Sequence, residues 1–167
     1  MSITKTSPKK GQFVNGKHVD SLLSNYKRER WVHNTKRLGK EDSLSVTFGI
    51  NEMSEFMEVA RENGADGIRV YFGVYSEGFE KVPEYSGRQT IVMVALKNKR
   101  NEDGSIVAKH LYYQTQNGPE LLAFNTGSVC PPFCGVGNPD DGGGYIIQDQ
   151  GLGLTFLNNE DGGTLVL

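Results

Sequence analysis

The sequence predicts a single α+β domain, in which an N-terminal helix and one βαβ unit precede a mostly antiparallel or mixed sheet. Three observations lead to this prediction. The chain has 167 residues, the size of one ordinary domain. It contains 21 glycines, which favours a sheet with many tight turns over a helical bundle. Its apolar residues follow helical spacing near the N-terminus and mostly strand-like alternation further on.

The first predicted element is a helix. Residues 1–16 are polar and are expected to form a flexible lead, so that the domain itself spans 17–167. From Lys17 onwards one helical face carries apolar residues at i, i+3, i+4 and i+7, namely Val19, Leu22, Leu23 and Tyr26. The helix should end near Leu38, because Gly39 is a suitable C-terminal cap.

A strand, a helix and a second strand are predicted next. Residues 44–50 alternate between apolar and small polar side chains, as in a half-buried strand. Asn51 is a suitable N-cap for a helix over 52–64, whose apolar stripe consists of Met53, Phe56, Met57 and Ala60. Alternation then returns, with Ile68, Val70, Phe72 and Val74 on the apolar face. This order predicts a βαβ crossover with two parallel strands, which are either adjacent or separated by an intervening strand.

The remainder of the chain favours strands. Residues 90–99 and 105–115 are expected to form a hairpin that turns at Asn101-Glu102-Asp103-Gly104. The stretch 120–127 fits either a strand or one helical turn. Short strands are predicted in "YIIQ", "GLTFL" and "TLVL", with the last two joined through residues 158–163.

Composition favours a cytoplasmic protein without a membrane segment. The longest apolar run, Ile91 to Leu96, is far shorter than the ~20 residues that cross a bilayer. The first 16 residues lack the apolar core of a secretory signal. In the cytoplasm both cysteines are expected to be reduced thiols unless they are catalytic, sensing or metal-bound.

Both cysteines lie in one segment, "SVCPPFCGVGNPDDGGGY". A redox pair normally has Cys-x-x-Cys at a helix start, whereas Cys130 and Cys134 have three residues between them, two of which are prolines. A disulfide, a metal site and a stiff structural loop all remain open, and the sequence favours the structural loop. No cofactor is expected.

Metal-dependent or thiol chemistry would need additional ligands or a base. His18, His33 and His110 are scattered singly, without the paired spacing of structural zinc sites. Cys130, Cys134 and His110 are therefore only weak metal candidates. A catalytic cysteine with His110 and Asp140 or Asp141 is chemically possible, but almost any chain with these residue types would offer such a set.

The glycine-rich end of the same segment has two functional interpretations. A phosphate loop would require Gly-Lys-Ser/Thr followed by a helix. The segment contains no Gly-Lys-Ser/Thr, and the residues after Gly144 resemble a strand. A calcium loop would require oxygen ligands at alternating positions, which "NPDDGGG" lacks. An acidic surface loop is the favoured interpretation.

The charge distribution provides the main functional lead. Residues 1–40 contain ten Lys and Arg against two acidic residues, which gives +8, and residues 41–167 contain eight against 18, which gives −10. The candidate partner-binding residues on the basic helix are Lys27, Arg28, Arg30, Trp31, Lys36 and Arg37. Such a helix can contact an anionic partner, or it can lie on the sheet with its charges solvated or paired to the acidic body.

A second candidate site lies on the polar face of the strand over 67–75. Arg69, Tyr71 and Tyr75 alternate there, and Arg88 is expected to join them from the next strand. Arginine and phenol groups on one face can bind a carboxylate or phosphate by charge-assisted hydrogen bonds. The alternative is that the tyrosines are ordinary core residues.

These observations favour a non-enzymatic cytoplasmic binding or interaction protein. Another protein is the favoured partner, and a small anionic ligand is also compatible with the residues. Nucleic acid is disfavoured because the overall pI is about 5.9, and no membrane contact is expected. The alternative is a small thiol- or metal-dependent enzyme built around Cys130, Cys134 and a histidine.

Overall fold

The computed structural model describes residues 11–134, together with the backbone of the short strands at 156–158 and 164–166. Helices and antiparallel sheets occupy these residues, which confirms the α+β class. The glycine-rich stretch 135–144, the predicted strand "YIIQ" and most of the predicted lead lie outside the described residues. Among the described residues, no helix is both long and apolar enough to span a bilayer.

The predicted N-terminal helix is confirmed as a continuous helix of 23 residues. It comprises α1 (Gly16–Tyr26), a π-helical segment (Lys27–Trp31) and α2 (Val32–Leu38). The Asn15 side chain caps its start by accepting the His18 N–H at 2.9 Å. Gly39 ends it with φ of 72°, a left-handed conformation that glycine adopts without a Cβ clash.

The next three elements are β1 (Ser45–Thr47), α3 (Ile50–Glu62) and β2 (Gly67–Val74). The N-cap of α3 is Gly49 rather than the predicted Asn51, and the Glu52 carboxylate accepts the Gly49 N–H at 2.8 Å. Two members of the predicted apolar stripe, Phe56 and Ala60, are buried.

The predicted parallel pairing of β1 with β2 is not observed. Strand β1 pairs with β8 (Ser128–Cys130), and β2 pairs with β3 (Gln89–Arg100), both in antiparallel orientation. The helix α3 therefore connects strands of two different sheets. Every strand pair described in the structure is antiparallel.

The central sheet is built around β3. Its strand order is β2-β3-β4, where β4 is Ile106–His110, and β7 (Ala123–Phe124) also pairs with β3. The predicted hairpin between β3 and β4 is confirmed, with Arg100 opposite Ile106. The Asn101 carbonyl accepts the Gly104 N–H at 3.0 Å within the turn.

The remaining strands form two further hairpins. In the first, β5 (Tyr112–Thr115) pairs with β6 (Gly118–Leu121), so the stretch 120–127 supplies strand residues and not a helical turn. In the second, β9 (Phe156–Asn158) pairs with β10 (Thr164–Val166), as predicted for the last two strands.

Two clusters of buried side chains form the core. In the first, α3 packs against β3 through Phe56, Ala60, Met93 and Ala95. The second consists of Tyr75, Tyr85 and Val129, with Phe79 and Phe133 packed against it. It lies where the loop after β2 meets β8.

The apolar face of β2 is less covered than the alternation predicted. Ile68 packs against the first cluster, but Val70, Phe72 and Val74 are 52%, 82% and 62% exposed. The reason is that the α3 side chains of the first cluster reach only the Ile68 end of this strand.

Candidate functional site

The basic helix is docked on the body of the domain through one side of its C-terminal half. The Trp31 indole N–H donates to the Asp42 carbonyl at 2.6 Å, and the Asp42 N–H donates to Thr35 Oγ1 at 3.0 Å. Leu38 covers Gly87 so closely that a Cβ at Gly87 would lie 2.7 Å from Leu38 Cδ1. Trp31, Thr35 and Leu38 recur at i, i+4 and i+7, which places them on one helical face.

The structure thus assigns Trp31 to docking, whereas the sequence grouped it with the partner-binding residues. Its ring is half-buried. The other members of that group are charged.

Four exposed side chains lie on the opposite side of the same helical stretch, and we call them the basic stripe: Arg30, His33, Lys36 and Arg37. Among the described residues, these side chains form no ion pair with the acidic body. An ion pair within the helix joins Arg28 to its neighbour Glu29 at 2.7 Å. Hydrogen bonding to Arg28 and its positive charge lower the pKa of Glu29.

Lys27 and Arg28 lie at the start of the π-helical segment. Arg28 also donates to the Asn25 side chain at 2.9 Å, so its guanidinium is held along the helix. Lys27 is half-buried. The π-helical turn is a local feature that is often found near functional sites.

A buried carboxylate, Asp42, organises the region beneath the helix. It is 3% exposed, and Oδ1 accepts the N–H groups of Ser43 at 2.8 Å and Gln89 at 2.7 Å. Burial raises the pKa of the Tyr26 phenol, and the negative charge of Asp42 raises it further. Asp42 thus links the helix, the loop after it and the start of β3.

An apolar groove of about 220 Å³ opens between α1 and the sheet. Its apolar lining side chains are Leu23, Tyr26, Leu44, Val46, Phe72 and Ile91. No charged side chain lines it.

The predicted Arg and Tyr site is only partly assembled in the structure. Arg69 donates to the Tyr71 hydroxyl at 3.2 Å, and the guanidinium carbon lies 5.9 Å from the centre of that ring. His110 Nε2 hydrogen-bonds the same hydroxyl at 2.7 Å. We call these three residues the Arg-Tyr-His cluster. Sheet register explains it, because Arg69, Tyr71 and His110 pair with alternate β3 residues and so share one sheet face.

Tyr75 and Arg88 are not part of this cluster. The Tyr75 hydroxyl donates to Asn125 Oδ1 at 3.0 Å and its ring packs in the second core cluster. Arg88 is 7% exposed and donates to the Glu84 carbonyl at 2.9 Å and the Pro131 carbonyl at 3.4 Å. Burial lowers the pKa of Arg88, and the negative charges of Asp42 and Glu41 oppose that effect. These two residues therefore make structural contacts away from the Arg-Tyr-His cluster.

The two cysteines form a disulfide, with their Cα atoms 4.7 Å apart. The expectation of two reduced thiols is thus wrong for this structure. The bond closes a short loop over the second core cluster, where the Phe133 ring lies 5.8 Å from Tyr85. The structural-loop interpretation fits this packing.

This geometry also bears on the weak catalytic and metal candidates. His110 bonds Tyr71, while Cys130 and Cys134 are consumed by their mutual bond. Asp140 and Asp141 lie outside the described residues. Within the part of the chain that the structure describes, no group of three or more His, Cys, Asp or Glu side chains could hold a metal ion.

Comparison of the chain with models of known protein families, with curated proteins and with solved structures gave no match.

Proposed function

We propose that the protein is a non-enzymatic binding protein that contacts an acidic surface of another protein through its basic stripe. The observation that carries this proposal is the docking of the helix through Trp31 and Thr35 onto Asp42. Docking fixes which side of the helix faces outward. The outward side is the one that carries Arg30, His33, Lys36 and Arg37.

A protein partner fits this surface better than a nucleic acid. Proteins that bind single-stranded nucleic acid combine basic side chains with exposed aromatic rings on which bases stack. Here Trp31 is turned toward Asp42, and Tyr26 is half-buried. The chain as a whole carries a net charge of −2, which disfavours a nucleic acid with its continuous phosphate backbone. The basic stripe is a local surface, and it is complementary to a local acidic surface of another protein.

The disulfide supports a binding function over the thiol-enzyme alternative. A thiolate is the form that acts as a nucleophile or metal ligand, and both sulfur atoms are occupied in this structure. Disulfides persist mainly in oxidising compartments, so this bond disagrees with the cytoplasmic location that the sequence predicts.

Charge reversal tests the proposal. Arg30→Glu with Arg37→Glu should weaken binding to immobilised poly-L-glutamate, a stand-in for an acidic protein surface, by at least about tenfold, because paired charges across an interface become repulsive. Binding is measured by biolayer interferometry at several salt concentrations. Lys99→Glu with Arg100→Glu, an equal charge change at exposed positions of β3, is the matched control and should bind like the wild type.

Two results would count against the proposal. The first is an equal loss of binding in both double variants, since net charge alone would then explain it. The second is stripe-dependent binding to a DNA duplex without binding to poly-L-glutamate. Circular dichroism of each variant establishes that the helix is retained, as expected for exposed substitutions.

The Arg-Tyr-His cluster supports a second candidate function, the binding of a small oxyanion such as phosphate or a carboxylate. Arg69 and His110 converge on one hydroxyl, and the guanidinium has five N–H donors, of which Tyr71 accepts one bond. Charge-assisted hydrogen bonds of this kind are the strong ones in proteins.

Phosphate titration followed by NMR of the His110 ring tests this candidate. Saturable shifts of the ring signals are expected in the wild type, and Arg69→Gln should abolish saturation because it removes the cation. Lys109→Gln, a neighbouring exposed residue whose side chain points to the other sheet face, is the control. Identical titrations of the wild type and Arg69→Gln would exclude an oxyanion site here.

A further inference from the structure

Strand β2 lies at the edge of the central sheet, and its outer edge pairs with no other strand that the structure describes. The alternation of hydrogen bonds fixes which residues face outward. The Tyr75 N–H donates to the Arg88 carbonyl, and Ala95 directs both its N–H and its carbonyl away from β2. Odd-numbered residues of β2 therefore bond to β3. The outward backbone groups belong to Ile68, Val70, Phe72 and Val74.

This edge lacks the features that usually prevent strands from pairing across an open edge. Natural edge strands are protected by proline, lysine, bulges or short length. All eight residues of β2 pair with β3 in unbroken register. The single charged residue is Arg69, which lies on the face opposite Val70, Phe72 and Val74.

We propose that two copies of this chain associate by antiparallel pairing of their β2 edges around a two-fold axis at Tyr71. In this register Val70 lies opposite Phe72 of the second copy, and Ile68 lies opposite Val74. All four outward-facing residues then find a hydrogen-bonding partner. An axis at Val70 or Phe72 would leave at least one of them beyond the end of the partner strand.

Charge and side-chain size agree with the same register. Arg69 lies opposite Gly73 of the second copy, so the two guanidinium groups do not meet and the glycine leaves room for each. The exposed faces of Val70, Phe72 and Val74 from both copies merge into one apolar surface, which is the kind of cross-strand contact that stabilises a sheet. The product is a continuous six-stranded sheet, β4-β3-β2 followed by its two-fold copy.

Cross-linking tests the register. At a two-fold axis between non-hydrogen-bonded positions the two Cβ atoms are at their closest, within the range for a disulfide. Tyr71→Cys should therefore give a reducible covalent dimer on oxidation. Arg69→Cys should not, since its two copies are four positions apart, about 13 Å. The wild type, whose cysteines are already bonded to each other, is the background control.

Sedimentation equilibrium tests the association itself. The wild type should show a dimer mass that falls on dilution. Phe72→Lys should raise the dimer dissociation constant at least about tenfold, because it places a charge in the merged apolar surface. Ile106→Lys, at an exposed apolar position of β4, should leave it unchanged.

A wild type that is monomeric at every concentration overturns the proposal. So does a dimer whose dissociation constant Phe72→Lys does not alter, or Arg69→Cys cross-linking as readily as Tyr71→Cys. Should Phe72→Lys fail to fold, Val70→Lys places the charge on the same face and replaces it in the same measurement.

Discussion

Replacing Tyr85 with alanine should lower the free energy of unfolding by about 3–5 kcal/mol, the usual cost of removing a large buried aromatic ring. Tyr85 is 1% exposed, and its ring packs against Tyr75 and Phe133 at centroid distances of 5.3 and 5.8 Å. Its hydroxyl accepts the N–H of Val129, a residue with no exposed surface. One side chain thus joins the loop after β2, strand β8 and the disulfide loop.

Urea denaturation measures the loss of unfolding free energy. In thermal denaturation the melting temperature should fall by roughly 6–20 °C for a domain of this size. Tyr85→Phe separates the hydrogen bond from the ring: it keeps the packing but leaves the Val129 N–H without its acceptor, which costs about 1–3 kcal/mol. Tyr112→Ala, at a tyrosine that is 60% exposed, is the control and should cost less than about 1 kcal/mol. Equal midpoints for Tyr85→Ala and Tyr112→Ala would show that the second core cluster does not stabilise the fold.

The elements that could be predicted from the sequence are those whose signals are local. The N-terminal helix was predicted within one residue of its start and at its glycine cap, because an amphipathic repeat and a left-handed glycine are both local features. The hairpin of β3 and β4 was predicted for the same reason, since its turn sequence lies between two alternating runs. Long-range pairing has no such signal, and the partner of β1 is a strand more than 80 residues further along the chain.

Burial on β2 shows a second limit of sequence patterns. Alternation correctly separated Arg69 and Tyr71 from Val70 and Phe72 on opposite faces of the strand. It could not tell how far α3 would cover the apolar face, because coverage depends on where the helix crosses the sheet. The exposed part of that face is one reason to propose that a second copy of the chain pairs with β2.

The candidate site was predictable in part. Arg69 and Tyr71 were recognised as neighbours on one strand face. His110 was considered only as a metal ligand or as the partner of a catalytic cysteine, although the turn between β3 and β4 sets its position opposite Leu96. Its contact with Tyr71 depends on the separate register of β2 with β3, which the long connection between those strands leaves undetermined. The contacts of Asp42 were not predictable, because a single aspartate after a glycine cap resembles any loop residue.

Replacing Asp42 with alanine should cost about 2–5 kcal/mol of unfolding free energy, because the N–H groups of Ser43 and Gln89 then lose their shared acceptor. The same change removes the negative charge next to the buried guanidinium of Arg88. Asp42→Asn keeps an oxygen at the same place and loses only the charge, so it should cost less. Glu58→Ala, at an exposed position of α3, is the control and should stay within about 0.5 kcal/mol of the wild type.

In Asp42→Ala, the loss of stability should first affect the docking of the helix that carries the basic stripe. Trp31 is the sole tryptophan of the chain, and its indole N–H is bonded to the Asp42 carbonyl, so its fluorescence reports on docking. In Asp42→Ala the Trp31 emission should shift to the red at urea concentrations where far-ultraviolet circular dichroism still shows a folded sheet. The binding of poly-L-glutamate should weaken along with that shift, because an undocked helix no longer presents Arg30 and Arg37 on one fixed side. If the emission shifts and binding is unchanged, the fixed orientation of the stripe has no part in recognition, and charge density alone accounts for it.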